Sequence, residues 1–307
     1  MEHVRWLGRP TLRRPVVVAA FTGWNDAGDA ASNSVRHLVE SWGATPLAEI
    51  DPEEFTDFAT VRPHVRLDPQ ARRTIVWPTV GLWSASTPGG DVILVLGPEP
   101  ALRWKLFVDQ IIGVAVEMGA SMFLTLGALL ADVPHTREVR LMGTATDDAV
   151  IERYDLQRSN YEGPTGIVGV LHDGCAAHDL ASASLWAAVP AYASQVPSPK
   201  ASLALVERTC DILGCPAPTA RLIDAARDYD NRVTSFVEDD SDLTGYVARL
   251  ESMADAGELD DDEDDVDDDD AVGGELADDP PAVDPAVDSD ELMAEVERFL
   301  RDQGEPG

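Results

Sequence analysis

Four stretches of the chain are apolar at nearly every position: 15–21, 91–96, 121–126 and 183–189. Apolar on consecutive rather than alternate residues, they predict strands buried on both faces, as at the centre of a parallel sheet. A period of three to four residues predicts helices elsewhere. Over 30–42, Ala31, Val35, Leu38 and Trp42 share a stripe. Over 101–119, Leu102, Leu106, Ile112 and Val116 line one side, and Gly119 ends the run. With a further strand at 45–50, the opening reads β–loop–α–β, the unit of a parallel sheet. The run 167–172 is short and apolar and follows the turn-forming Gly163, Pro164 and Gly166, which predicts a buried strand, with a short helix over 173–180.

Weaker patterns fill the gaps. Residues 60–73 read as irregular, and 74–80 contain Pro78, so they predict an edge strand or an irregular extension. Residues 84–90 predict a turn, 137–144 a half-exposed strand and 147–154 a short helix. Helical patterns cover 200–213 and 217–238, with 243–255 extending the second. Near the end, Leu292, Val296, Phe299 and Leu300 form an apolar stripe over 289–301, a helix expected to dock on the chain's own body. The chain therefore divides into an α/β core at 1–198, a helical segment packed on it at 199–256, an acidic linker at 257–287 and an amphipathic helix at 288–307.

Charge sharpens that division. The formal net charge is −33, of which residues 251–307 carry −22 and residues 1–250 carry −11. Ten of the eleven positions 260–270 are carboxylates, and their repulsion predicts disorder over about 258–285. A chain this acidic repels nucleic acid and anionic membrane surfaces, so neither is expected as a partner. No apolar run approaches the ~20 residues of a membrane span. The cysteines are Cys175, Cys210 and Cys215, and their spacing indicates neither a disulfide framework nor a zinc site. Reduced thiols in a cytoplasmic protein without metal or cofactor are expected. Mostly buried thiols are the plain reading, with Cys175, beside the 167–172 run, a weak candidate nucleophile.

Candidate chemistry sits in turns that directly follow apolar strands: 23–28, 97–100 and 127–135. In an open parallel sheet such loops face one crevice. Asn25, Asp26, Glu99, Asp132 and His135 are expected to converge there, with Glu162 joining from its own loop. Carboxylates with one histidine support acid–base or metal chemistry, and the same residues also cap helices and bind turn amides. No residue is assigned a catalytic role. Arg103 and Lys105 open the helix after Glu99, a setting for packing first and anion binding second. The chain has no G-x-G-x-x-G, phosphate loop, H-E-x-x-H or G-x-S-x-G motif.

Several blocks, in order, resemble one family. They are 21–28 (Phe-Thr-Gly-Trp-Asn-Asp-Ala-Gly), 49–55, Gly97-Pro98-Glu99-Pro100 with Arg103-Trp104, 126–136, 159–172 and 184–190. The chain resembles the proteasome assembly chaperone family of the second-chaperone type, in its actinobacterial branch. The resemblance implies a three-layer α/β/α fold with a mixed, largely parallel sheet, similar to phosphorylases and hydrolases, plus C-terminal helices. It also implies self-association, proteasome subunits as partners and a non-enzymatic role in assembly. Members of the wider family can end in a hydrophobic–Tyr–any-residue tail. This chain ends Gly304-Glu305-Pro306-Gly307, so tail docking is not carried over. The competing reading is an enzyme of hydrolase, phosphorylase or carboxylate–amine ligase type that uses the loop cluster. Phe55, Phe58, Trp77, Trp83 and Tyr161 in surface-prone segments predict a homo-oligomer, with a trimer as the expected size.

Overall fold

The computed structural model describes residues 1–258. The helix expected at 289–301, and all but the first residue of the stretch expected to be disordered, lie outside them. Strands β1 (Val4–Trp6), β2 (Val16–Thr22) and β3 (Thr45–Ile50) come first, with helix α1 (Ala30–Ser41) between β2 and β3. Next are β4 (His64–Leu67), β5 (Arg73–Val76), β6 (Val80–Thr87), β7 (Gly90–Pro98), α2 (Trp104–Glu117) and β8 (Met122–Ala131). The chain continues through β9 (Leu141–Ala145), α3 (Asp148–Tyr154), β10 (Gln157–Arg158), α4 (Ile167–Ala177) and β11 (Ser182–Pro190). It ends in α5 (Pro199–Leu213), α6 (Ala220–Glu238) and α7 (Ser241–Ala256).

Nine strands form one mixed sheet in the order β1-β3-β6-β7-β2-β8-β11-β9-β10. Its centre, β7-β2-β8-β11, is parallel. Antiparallel strands flank that centre, β6 on β7 and β9 on β11. Along β2 the side chains alternate between two cores. Val18 and Ala20 join α1 and α5 on one face, through residues such as Val35 and Leu205. Val17, Ala19 and Phe21 join α2 and α4 on the other, through Phe107, Ile111 and Leu171. Burial of both faces explains the uninterrupted apolar run. Helices α6 and α7 form a smaller cluster of Tyr229, Val233, Val237 and Val247.

Four expectations need correcting. First, β2 and β3 do not pair: β6 and β7 stand between them, and β3 pairs antiparallel with β6. Second, 84–90 is mostly strand, because β6 runs to Thr87 and pairs with β7 through a tight turn. Its small residues, Ser84, Ala85 and Ser86, hid it. Third, Ile167–His172 is not a strand but the start of α4. Ile167, Leu171 and Cys175 recur every four residues and are all buried, which is a helical spacing. Fourth, α7 does not extend α6. Asp240 starts it afresh, its side chain accepting from the amides of Asp242 at 2.9 Å and Leu243 at 3.1 Å.

Candidate functional site

The loops after β2 and β7 meet the segment that leads into α4 at the carboxyl edge of the parallel strands. Asn25 and Asp26 follow β2, and the backbone there pairs with β8, the Ala128 amide donating to the Asn25 carbonyl at 2.8 Å. The Asn25 side-chain amide donates to Glu99 Oε1 at 2.8 Å. The same oxygen accepts the Ile167 amide at 2.7 Å. Glu99 therefore holds the first turn of α4 and the β2 loop together. Gly166 fits between them: a Cβ at that position would lie 2.2 Å from Asn25 Oδ1. Asp26 serves α1, with Oδ1 accepting the Ser32 amide at 3.0 Å. Asn25 and Asp26 are both buried, and burial raises the Asp26 carboxyl pKa above its ordinary value.

The other expected members lie elsewhere. His135 is buried under α6: Tyr192 OH lies 2.8 Å from Nδ1 and Thr234 Oγ1 lies 3.0 Å from Nε2. Lys200 donates to the His135 carbonyl and pairs with Asp230 at 3.2 Å. Burial pushes the His135 pKa down, with the Lys200 charge acting the same way and Asp230 and Glu251 opposing it. Asp132 accepts the Tyr246 hydroxyl of α7 at 2.6 Å. Arg103 pairs with Glu54. Glu162 is exposed and makes no hydrogen bond or ion pair among the described residues. The expected convergence is thus corrected: Asn25, Asp26 and Glu99 come together, whereas Asp132 and His135 are drawn away by a helical hairpin nearly a hundred residues later in the chain. A cavity of about 20 Å³ beside His135 and one of about 10 Å³ beside Phe55 and Phe107 hold a water at most.

A third polar group sits beneath α4. His172 Nδ1 lies 2.9 Å from Ser182 Oγ and Nε2 lies 3.0 Å from Thr125 Oγ1. Thr125 continues to Ser184 at 3.0 Å, which accepts the Trp186 indole N–H at 2.9 Å. Burial lowers the His172 pKa to about 4. Burial also pushes the Cys175 thiol up to about 12, which removes it as a nucleophile near neutral pH. Among the described residues no group of His, Cys, Asp or Glu is arranged to hold a metal ion.

Large apolar side chains are exposed in the same and neighbouring loops. Trp24, Leu102, Leu129, Leu130 and Tyr161 are all exposed, Trp24 at 66%. Trp24, Leu102, Leu129 and Leu130 lie on loops or strand ends at the carboxyl edge, and Tyr161 lies in the connection between β10 and α4. From the same edge, where Ile50 faces Val80, the chain leaves the sheet and returns. Within that excursion β4 and β5 pair only with each other, and every residue of both strands is exposed. The pairing register puts Val65, Leu67, Ile75 and Trp77 on one face of this arm. Sequence reading passed over the arm because Pro63, Pro69 and Pro78 marked it as irregular. The signal that would have found it is charge: residues 61–77 hold four arginines and one aspartate in a chain of net charge −33.

The sequence pattern of the PAC2 family matches residues 20–237. A PAC2 family protein from Streptomyces avermitilis superimposes with a TM-score of 0.71 at 42% identity, over 76% of this chain and 99% of that one. A proteasome-assembly chaperone homologue from Mycobacterium tuberculosis does so with a TM-score of 0.69 at 42% identity, over the same shares of 76% and 99%. An archaeal proteasome activator from Pyrococcus furiosus has the same fold, with a TM-score of 0.62 at 17% identity over 76% of this chain and 97% of that one. No curated protein sequence matches the chain.

Proposed function

The chain belongs to the PAC2 family, and from that premise we propose that it is a non-enzymatic interaction protein that assists assembly of a proteasome or a similar complex. The observation that carries this reading is the state of the carboxyl edge. Enzymes of open α/β folds keep polar groups free in a crevice at that edge. Here Glu99 spends one oxygen on Asn25 and Ile167, and Asp26 one on the Ser32 amide in the first turn of α1. The oxygens left without a partner among the described residues, Asn25 Oδ1 and Asp26 Oδ2, are buried rather than open to a crevice, and Trp24 and Leu102 nearby in the chain are exposed. Buried polar groups engaged with one another hold loops in place, and exposed apolar groups around them favour a protein partner. The chaperone homologue at 42% identity supports the same direction. The proposal includes self-association, with a trimer as the size, and location in the cytoplasm. Of the five aromatics expected at the surface, Trp77 and Tyr161 are exposed, Phe58 and Trp83 half-buried and Phe55 buried.

Affinity purification of the tagged full-length chain from its native host tests the partner. Proteasome α-subunits in the eluate, and their loss when Trp24 and Tyr161 are both replaced by serine, are the expected result. An eluate free of proteasome subunits would overturn the assembly role. Turnover of a small substrate that disappears in a folded Glu99→Gln variant would favour the enzyme reading instead.

A further inference from the structure

Two of the three cysteines come together at the end of α5, and the way that helix stops explains why. Gly214 takes a left-handed conformation there, with a φ of 68°. Its amide donates to the Asp211 carbonyl at 3.1 Å, and the Cys215 amide donates to the Cys210 carbonyl at 3.0 Å. This pair of bonds is the Schellman ending, which turns the chain back onto the last turn of the helix and sets the side chains of its outer two residues against each other. That contact is usually between hydrocarbon side chains, and here both are thiols. Cys210 is buried in the core that α5 shares with α1, and Cys215, half-buried, packs against the same core. Burial pushes the Cys210 thiol up to about 12, and the neighbouring Cys215 thiol acts next in the same direction. The surroundings hold this turn in place. A Cβ on Gly89, in the turn between β6 and β7, would lie 2.0 Å from the Leu213 carbonyl oxygen, and His37 of α1 donates to the Pro218 carbonyl. Cys175 is buried on the other face of the sheet, in the core formed by α2 and α4.

We propose that Cys210 and Cys215 form a reversible oxidation site, which a hydroperoxide converts into a disulfide within one chain. Cys215 meets the oxidant, because it is the thiol of the pair that solvent reaches. Its sulfur, as the thiolate, attacks a peroxide oxygen. The O–O bond breaks, and the hydroxide that leaves takes up the proton shed by Cys215 and becomes water. Cys215 is then a sulfenic acid. Cys210 attacks its sulfur, the S–S bond forms, the S–O bond breaks, and the departing hydroxide takes the Cys210 proton as a second water. The two thiols give up two electrons and two protons, and hydrogen peroxide becomes two waters. The high pKa of Cys210 makes it a poor first nucleophile. In the second step its enforced contact with Cys215 compensates, because a partner held in place acts at a high effective concentration. A dithiol reverses the bond by exchange. The cross-link ties the α5–α6 connection to the last turn of α5. It thereby fixes the point from which α6, which reaches His135 through Thr234, sets out.

Peptide mapping tests this on the folded full-length chain, exposed to hydrogen peroxide and then denatured, alkylated and cut with trypsin. Cleavage after Arg208 and Arg221 releases residues 209–221, which contain both thiols, whereas Cys175 falls in residues 159–200. After peroxide, the 209–221 peptide is expected to be lighter by two hydrogens and closed to alkylation, with Cys175 alkylated as in the untreated chain. Dithiothreitol added before alkylation is expected to return both thiols of 209–221. Cys215→Ser, at a half-buried position, is expected to leave Cys210 open to alkylation after the same exposure. Cys210→Ser is expected to stop at the sulfenic acid of Cys215, which dimedone captures. If that variant melts early, Cys210→Ala replaces it. A 209–221 peptide alkylated at both cysteines after peroxide would overturn the proposal. So would a sulfenic acid on Cys215 that persists in the wild-type chain, a disulfide that joins two chains through Cys215 while Cys210 stays free, or oxidation of Cys175 to the same extent. The readout needs no partner, so it stands apart from the purification experiment.

Discussion

The cluster around Asn25 and the arm of residues 61–77 arise at the same edge of one sheet and follow opposite rules. In the cluster, polar side chains are inside and hold loops together: one oxygen of Glu99 serves two donors from two different loops, while Asn25 Oδ1 and Asp26 Oδ2 are buried without a partner among the described residues. In the arm, apolar side chains are outside and satisfy nothing. A buried donor that loses its acceptor is costly, whereas an exposed leucine that is removed costs little. The first region should therefore govern the stability of the single chain, and the second should matter only once another molecule is present.

The largest test of that contrast is Glu99→Ala. It orphans the Asn25 amide and the first amide of α4, at roughly 1–3 kcal/mol each, so a loss of about 3–4 kcal/mol is expected in urea denaturation. A loss below about 0.5 kcal/mol, the range of ordinary surface changes, would mean that α4 is seated by packing alone. Acid tests the same helix. His172 has its pKa lowered to about 4 by burial, against about 6.5 in an unfolded chain, so the neutral form belongs to the fold. Its contribution is intact above about pH 6.5 and is lost as pH falls toward 4, on the order of 3 kcal/mol in all. Asp26, with its raised pKa, works in the opposite sense at the acid end. The difference in unfolding free energy between the wild-type chain and His172→Gln should therefore narrow as pH drops. A gap that stays constant would remove the histidine from the account.

Gly166→Ala comes next, at about 2 kcal/mol, because its Cβ must displace the Asn25 amide that it would approach to 2.2 Å. A melting temperature equal to wild type would show that the cluster has slack. The smallest effect belongs to the arm. Leu67→Ser should change single-chain stability by less than about 0.5 kcal/mol, measured at concentrations too low for association. A loss as large as that of Gly166→Ala would show that the arm packs on its own body, and the contrast would collapse.

How far the sequence could be read follows from the same physics. The strands β2, β7, β8 and β11 were legible because helices cover both faces of the sheet, so their runs are apolar without interruption. The strand β6 was not, because its Ser84 and Ser86 are small and polar and the run looks like a turn. The start of α4 was misread because six apolar residues have no period of their own. Only the extension to Cys175 reveals it, together with Glu99, a distant residue that supplies the cap. In the site, Asn25 and Glu99 met as expected because β2 and β7 are neighbours. Asp132 and His135 did not, because Tyr246 and Thr234 reach them from helices whose docking no local pattern announces.

The position of β2 at the centre of the sheet has a consequence for synthesis. The strand is complete at Thr22, yet its partners are β7, which ends at Pro98, and β8, which begins at Met122. At ribosomal rates of roughly 5–20 residues per second, about a hundred residues of elongation leave this apolar strand with an unpaired edge for about 5–20 s. The nascent chain therefore passes through a window in which a segment destined for full burial is an adhesive edge, and that window closes only when Phe123 and Leu124 emerge to pair with Val17 and Val18.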